Sequence, residues 1–136
     1  MRAQPLKTYI VEDSAVIREN LIDTLQELTQ VEVVGFAEDE CSANAWLEQS
    51  DNEASLVIVD IFLKRGSGLG VLRAAAARAR TRSSKWVVFS NYATAAMRSK
   101  CLELGADQLF DKSTEIDGLI AYCNHLTEAG ESVQAV

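Results

Sequence analysis

The sequence is poor in the features that mark disulfide-stabilised, thiolate-metal and membrane proteins. Its three cysteines, Cys41, Cys101 and Cys123, are far apart and odd in number, so buried free thiols are favoured over a disulfide framework or a Cys-X-X-Cys metal site. No run approaches the ~18 apolar residues of a membrane span, and no charged segment followed by an apolar one opens the chain. We therefore expect a cytoplasmic protein with no membrane partner.

Positive charge is also scarce. The formal net charge of −7 opposes nonspecific binding to nucleic acid or anionic lipid. The stretch from Arg73 to Lys85 is basic and contains no acid, but we interpret it as the solvated end of a helix rather than as a nucleic-acid patch. The single histidine, His125, falls on the last predicted helix, and we assign it to the surface rather than to catalysis.

No proline-rich or glycine-rich linker divides the 136 residues, so one domain is expected. Short apolar runs of strand type alternate with segments whose apolar residues recur with a period of about 3.6. Strands are predicted at 8–11, 31–37, 56–59, 86–89 and 108–111. Helices are predicted after Ser14 as N-cap, with Val16, Ile17, Leu21, Leu25 and Leu28 apolar, and then at 42–49, 69–79, 93–104 and 116–126. Residues 129–136 are predicted to be a frayed tail.

This alternation predicts an α/β fold with a doubly wound, five-stranded parallel sheet. Parallel strands need crossover connections, and the crossover helices then cover both faces of the sheet. The uninterrupted apolar run from Leu56 to Val59 agrees with a strand buried on both faces. Because ligands of such sheets bind beyond the carboxyl ends of the strands, the residues there are the candidate site.

The predicted strand ends carry an unusual concentration of charge. Glu12 and Asp13 follow the first strand, Asp60 the third and Ser90 the fourth, and Lys112 stands at the end of the fifth. Two like charges ~5 Å apart at an effective dielectric constant of ~20 repel by roughly 3 kcal/mol, so the carboxylates need a proton or a cation. Oxygen ligands without histidine or cysteine favour a hard ion, Mg²⁺ before Ca²⁺, with Lys112 as a further positive charge.

These residues, in this order, resemble the receiver domain of two-component response regulators. The match consists of the acidic pair Glu12-Asp13, Asp60, Ser90 and Lys112, with support from the turns at 66–69 and 105–107. It covers residues 7–127 and leaves 128–136 as a C-terminal tail. The resemblance implies a flavodoxin-like (βα)5 fold with strand order 2-1-3-4-5.

The resemblance also implies a phosphorylation switch. Asp60 would accept a phosphoryl group from a phosphohistidine, since a carboxylate forms an aspartyl phosphate. Mg²⁺ would be ligated by Asp13, Asp60 and the backbone carbonyl of Phe62, with Glu12 acting through water. Lys112 would hold phosphoryl oxygens.

The remaining implied roles concern the switch and the partners. The Ser90 hydroxyl would also hold a phosphoryl oxygen, and its movement would bias the fourth helix, fifth strand and fifth helix between two arrangements. A histidine kinase or phosphotransfer protein would dock near Asp60 and touch the first helix around Ala15, Val16 and Glu19. No enzymatic or DNA-binding segment follows the fifth helix, so we expect no enzyme activity and output through another protein.

Several positions depart from the family pattern. Leu109 replaces a common aromatic residue, Ser113 a proline after the lysine, Asn91 a small residue, and Lys64 a common proline. They keep open the alternative of a receiver-like binding module without phosphotransfer. A further alternative is a receiver belonging to a larger transcription regulator, with 128–136 as the start of a linker.

Two more inferences follow from residues beside the expected site. A Mg²⁺-dependent phosphatase with an aspartyl nucleophile is disfavoured, because Phe62 rather than an aspartate stands two residues after Asp60. Phe62 and Tyr92 are expected to flank the mouth of the pocket. Bulky groups there are expected to hinder water and to slow hydrolysis of an aspartyl phosphate.

Overall fold

Strands and helices alternate from end to end in the computed structural model, which describes residues 4–78 and 84–135, with side chains to residue 128. The elements are β1 (Leu6–Val11), α1 (Ala15–Leu28), β2 (Val31–Ala37), α2 (Glu40–Glu48), β3 (Leu56–Val59), α3 (Gly68–Ala77), β4 (Lys85–Ser90), α4 (Ala95–Glu103), β5 (Gln108–Asp111) and α5 (Ile116–Ala135). The strands form one parallel sheet in the order β2-β1-β3-β4-β5. The predicted fold class and strand order are confirmed.

The sheet separates two apolar layers. One layer joins the strands to α1 and α5 through residues such as Leu25 and Leu119. The other joins them to α2, α3 and α4 through residues such as Leu47, Val71 and Cys101. All four residues of β3 are buried, which explains its uninterrupted apolar run. Burial on both faces holds β3 rigid and therefore fixes where the chain leaves the sheet after it.

Side-chain caps determine where the first four helices begin. An oxygen of each cap accepts a hydrogen bond from an amide of the first turn, which otherwise lacks a partner. The caps are Ser14 for α1, Asp39 for α2, Ser67 for α3 and Thr94 for α4. Ser14 was predicted as a cap, whereas Asp39 and Thr94 move the starts of α2 and α4 by two residues from the predicted ones.

The C-terminal helix is longer than predicted. Its predicted end at Leu126 rested on the loss of apolar periodicity, but α5 continues to Ala135. Residues 127–135 include helix-favouring Glu, Ala and Gln and contain no proline, so the helix continues in spite of the unfavourable Gly130. The expected frayed tail at 129–136 is therefore helical up to Ala135. The limits of the receiver at 7–127 and of the tail at 128–136 stay predictions.

Burial was expected for all three cysteines and is found for two of them. Cys101 and Cys123 are buried as expected, and burial raises the pKa of Cys101 and raises that of Cys123 to about 12. Cys41 is exposed, because it lies on the outer side of α2 rather than on its core side.

Residues 79–83 lie outside the described residues. They include part of the basic stretch from Arg73 to Lys85 and the predicted end of the third helix at residue 79.

No helix within residues 4–78 and 84–135 is long and apolar enough to cross a membrane.

Candidate functional site

The carboxyl ends of four strands bring the candidate residues to one edge of the sheet. Val11 lies opposite Val59 in the β1–β3 pair, and Ser90 lies opposite Asp111 in the β4–β5 pair. The amide of Asp60 continues the first ladder by donating to the Val11 carbonyl at 3.0 Å. The amide of Lys112 continues the second by donating to the Ser90 carbonyl at 3.0 Å. The residues after the strands are therefore held by the sheet itself.

The Lys112 ammonium group joins two of the carboxylates. Its Nζ donates to Oδ2 of Asp60 at 2.8 Å and also to Oε1 of Glu12. The side chains of all three residues are nearly enclosed. Burial by itself would lower the pKa of Lys112, but its contacts with Asp60 and Glu12 outweigh burial and raise the pKa. The amine is thus held in its charged form between two acids, which offsets their mutual repulsion.

Glu12 is bonded through each of its polar groups. Its amide donates to the Ala37 carbonyl at 3.0 Å, its Oε2 accepts from the Ser14 amide at 3.0 Å, and its carbonyl accepts from the Arg18 guanidinium at 2.8 Å. Burial raises the pKa of Glu12, while the bonds to Lys112 and Ser14 act in the opposite direction. The first acid of the pair is therefore fixed in both backbone and side chain.

Three carboxylates are close enough to share one cation. Glu12, Asp13 and Asp60 each offer an oxygen, and these oxygens lie within 4.8 Å of one another. Asp60 is oriented by the Ile61 amide, which donates to its Oδ1 at 2.7 Å. A small set of oxygen donors fits a hard divalent ion such as Mg²⁺, which retains part of its water shell. The acidic cluster expected from the sequence is present.

The loop after β3 is held by contacts that the sequence did not predict. The Gly68 amide donates to the Ile61 carbonyl at 2.7 Å, which places Phe62 opposite Ser67. The Ser67 amide in turn donates to Oε1 of Glu40 at 2.9 Å. The glycines at 66–70 predict a turn in which Ser67 caps the following helix. Ser67 is indeed the N-cap of α3. Gly68 packs tightly against this loop, and no pattern in the amino-acid sequence indicates that contact.

Ser90 is buried at the end of β4 and faces its own loop. Its Oγ accepts a hydrogen bond from the Tyr92 amide at 3.1 Å. The structure therefore brings the Ser90 backbone next to Lys112, while the hydroxyl oxygen is engaged by the residue two positions on. Asn91, which stands where a small residue is common in the family, is exposed.

Two aromatic rings lie in contact on the surface beyond the carboxylates. The rings of Phe62, from the loop after β3, and Tyr92, from the loop after β4, have centroids 4.3 Å apart and planes tilted by 58°. Each residue is 54% exposed. Because the two loops also carry Asp60 and Ser90, the aromatic pair connects the segments on either side of the candidate site.

At the positions that depart from the family pattern, other contacts hold the chain. Leu109 is buried, and its carbonyl accepts from the Arg98 guanidinium at 2.8 Å. Ser113 donates from both its amide and its hydroxyl to Oδ1 of Asp111, at 2.8 and 2.6 Å. These bonds lower the pKa of Asp111. Lys64 lies 3.5 Å from Glu38 on the surface.

The sequence pattern misjudged the first turn of α1. Val16 and Ile17 were predicted on its apolar face, but they are 70% and 39% exposed, whereas Arg18 is only 6% exposed. Leu21 and Leu25 are buried as predicted, but Leu28 is also exposed. The core side of α1 is therefore formed by Arg18, Leu21 and Leu25, and Val16 and Ile17 lie outside it.

Comparison with known proteins agrees with this geometry. A family model described as the response regulator receiver domain matches residues 8–124. A protein-glutamate methylesterase/protein-glutamine glutaminase of Geobacter metallireducens is 30% identical over 131 residues, 94% of this chain and 35% of that protein. A probable chemotaxis protein CheY of Rhizobium etli is 24% identical, over 88% of this chain and 90% of that protein.

Among solved structures, the response regulator domain of Thermotoga maritima CheB superposes with a TM-score of 0.74. It is 20% identical, and the match covers 90% of this chain and 98% of that domain. The chain spans about a third of the length of the methylesterase relatives that it matches.

Proposed function

This chain belongs to the family of response regulator receiver domains, and on that premise we propose that it is the phosphoacceptor of a two-component phosphorelay. Asp60 receives a phosphoryl group from a phosphohistidine of a histidine kinase or phosphotransfer protein. The observation that carries the proposal is the contact of the Lys112 ammonium group with both Asp60 and Glu12. It supports the proposal because it puts a fixed positive charge beside the carboxylate that would receive the phosphoryl group.

The chemistry assigned to the residues is a displacement at phosphorus. A carboxylate oxygen of Asp60 forms the new P–O bond while the P–N bond to the donor imidazole breaks. The bonding pair leaves with the imidazole nitrogen, which takes up a proton from solvent water. Lys112, already 2.8 Å from the Asp60 carboxylate, is placed to neutralise charge on the phosphoryl oxygens. The Ile61 amide holds the Asp60 carboxylate in one orientation during the approach of the donor.

Glu12, Asp13 and Asp60 would hold the Mg²⁺ ion, with the backbone carbonyl of Phe62 as a further ligand. The bound ion supplies additional positive charge at the phosphoryl oxygens. The support for this assignment is the donor set, three carboxylate oxygens within 4.8 Å of one another and no sulfur or nitrogen ligand among them.

The proposed output passes through the β5 edge of the sheet. Ser90 would release the Tyr92 amide and turn its hydroxyl to the phosphoryl group. Leu109 has no ring to move, but Arg98 of α4 bonds to its carbonyl and lies 3.5 Å from Glu115, just before α5. These contacts support a route from the site to the face of α4, β5 and α5, where a downstream protein would bind. A cytoplasmic location stays a prediction.

The function is tested by incubating the protein with Mg²⁺ and acetyl phosphate and measuring the intact mass. We expect the wild-type chain to gain one phosphoryl group and Asp60→Asn to gain none, since an amide is a poor nucleophile and lacks the charge that Lys112 pairs with. Asp51→Asn, which alters an exposed carboxylate, is the matched control and should behave as wild type. No adduct on the wild type, or one that survives Asp60→Asn, would favour a binding module without phosphotransfer.

We further propose that the aromatic pair shields the aspartyl phosphate from water. Replacing Phe62 and Tyr92 with serine should speed dephosphorylation by roughly tenfold, a barrier change of ~1.4 kcal/mol, because water then approaches Asp60 without displacing the rings. The measurement is the decay of the phosphorylated mass after the donor is removed. Leu102→Ser, at another exposed apolar residue, is the control. An unchanged rate in the double variant contradicts the shielding role.

A receiver belonging to a larger protein remains a second candidate. The match to about a third of the methylesterase relatives favours it, since a receiver is there one part of a longer chain. The full reading frame distinguishes the two, because an additional domain beyond α5 would carry the output directly.

A further inference from the structure

Arg18 is the unexpected charged residue of the site region. It lies in the first turn of α1, where neighbouring apolar side chains are exposed, yet it is itself 6% exposed. Its Nη1 donates to the carbonyl of Glu12 at 2.8 Å and lies 3.5 Å from Oε2 of Glu38. The centre of the guanidinium group lies 4.0 Å from the centroid of the Phe36 ring. Nothing in the phosphoryl-transfer chemistry described above uses this cation.

We propose that Arg18 is a positioning residue that fixes the peptide between Glu12 and Asp13 and thereby aims both acidic side chains into the cation pocket. The inference deepens the proposed function and rests on it for the use of the pocket. Its geometric part, the restraint on residues 12–14, is independent of phosphorylation.

The restraint follows from the planarity of the peptide bond. The Glu12 carbonyl and the Asp13 amide belong to one rigid plane, so a bond that orients the first also orients the second. The Ala37 carbonyl already holds the Glu12 amide, and Arg18 holds the next peptide along. With both peptides fixed, the direction in which the Glu12 side chain leaves the backbone is fixed as well. The Ser14 amide donates to Oε2 of Glu12, which holds the peptide after Asp13 and so restrains the Asp13 side chain too.

Glu38 and Phe36 hold the guanidinium group in its turn. A planar guanidinium can lie over a ring, face a carboxylate and donate to a carbonyl in a single orientation. A lysine ammonium has no plane and is strongly hydrated, so it cannot satisfy the same three neighbours. The arrangement therefore requires arginine for its shape as well as for its charge.

The proposal is testable because two possible roles of Arg18 have opposite effects on cation binding. One role depends on the shape of the guanidinium group, and the other depends on its charge alone. A guanidinium near the pocket repels a divalent ion, so a role through charge alone means that Arg18→Met binds Mg²⁺ more tightly. A positioning role means weaker binding, and residues that orient metal ligands typically contribute about tenfold or more to affinity. Arg18→Lys retains the charge and should also weaken binding if positioning is the role.

The experiment measures the Mg²⁺ dissociation constant of the full chain by calorimetry. We expect an increase of about tenfold in Arg18→Met and a smaller increase in Arg18→Lys. Arg73→Met removes an exposed arginine of α3, changes the net charge equally and should leave the constant unchanged. An unchanged or lower constant in both Arg18 variants overturns the proposal. Should Arg18→Met fail to fold, Arg18→Lys decides by the same criterion, because it retains the positive charge and changes only the shape.

Hydrogen exchange in the metal-free protein separates this inference from the proposed function. The Ser14 amide donates to Oε2 of Glu12, so its exchange rate reports whether Glu12 is held. We expect faster exchange at Ser14 in both Arg18 variants and no change in Arg73→Met. Unchanged exchange at Ser14 overturns the positioning role even if the wild type is phosphorylated. Faster exchange in the Arg18 variants of a protein whose wild type accepts no phosphoryl group would support the restraint and contradict the proposed function.

Discussion

Lys112→Met should slow phosphorylation of Asp60 by acetyl phosphate by about two to three orders of magnitude, as expected when a charged donor to the transferring oxygens is removed. In this structure the ammonium group lies 2.8 Å from Oδ2 of Asp60, which places it beside the oxygens that become charged. Methionine preserves much of the side-chain length and removes only the charge and the donors. The measurement is the initial rate of adduct formation at saturating Mg²⁺.

The same substitution should strengthen cation binding. Lys112 bonds to oxygens of Glu12 and Asp60, both of which belong to the acidic cluster, so its loss leaves two carboxylates without their cation. We expect the Mg²⁺ affinity to rise by at least about tenfold while the rate falls. Lys100→Met, at an exposed lysine of α4, controls for net charge. A lower rate accompanied by weaker Mg²⁺ binding would instead indicate a damaged pocket.

Gly68→Ala should destabilise the fold by about 3 kcal/mol or more, the upper range for overpacking. A Cβ atom at Gly68 would lie 2.0 Å from the carbonyl oxygen of Asp60, and that oxygen belongs to rigid backbone at the end of β3. Either α3 or the Asp60 peptide has to move, so phosphorylation should fall together with stability. The measurement is the free energy of unfolding from urea denaturation.

Gly105→Ala is the matched control for this prediction. Gly105 has a φ of 107°, but among residues 4–78 and 84–135 no atom outside Gly105 and its two chain neighbours lies within 4 Å of the position that a Cβ would take. Alanine there therefore suffers only backbone strain, ~1–2 kcal/mol. The difference between the two variants measures the clash with the Asp60 carbonyl. Equal losses of stability would contradict the claim that α3 packs directly on the phosphoacceptor peptide.

Much of the fold could be predicted because the relevant signals are local. The apolar run of Leu56–Val59 and the cap at Ser14 involve residues within a few positions of one another, and both appear in the structure. The errors concern the exposure of side chains and the length of a helix, which depend on contacts with distant segments that a local sequence pattern does not describe. Val16 and Ile17 fit an apolar stripe but are exposed, while α5 continues past the last residue of its predicted range.

For the candidate site, residue types could be predicted but not contacts. Glu12, Asp13, Asp60, Ser90 and Lys112 were all identified from the ends of predicted strands. The contacts of Arg18, Glu40 and Gly68 were not predicted, because each involves backbone atoms of another segment. A hydrogen bond to a backbone carbonyl or amide does not depend on the side chain of the residue that carries that group. No sequence motif therefore indicates such a bond.

The amino-acid sequence by itself determined the alternation of strands and helices and the acids, hydroxyl and amine that end the strands. It could do so because periodicity and strand ends are properties of consecutive residues. Only the tertiary structure decided that Lys112 reaches Asp60 and Glu12, which are 52 and 100 residues away, and that the buried Arg18 donates to the Glu12 carbonyl. Those contacts exist only once the sheet has formed and aligned the ends of its strands, because before that nothing fixes the distances between the segments.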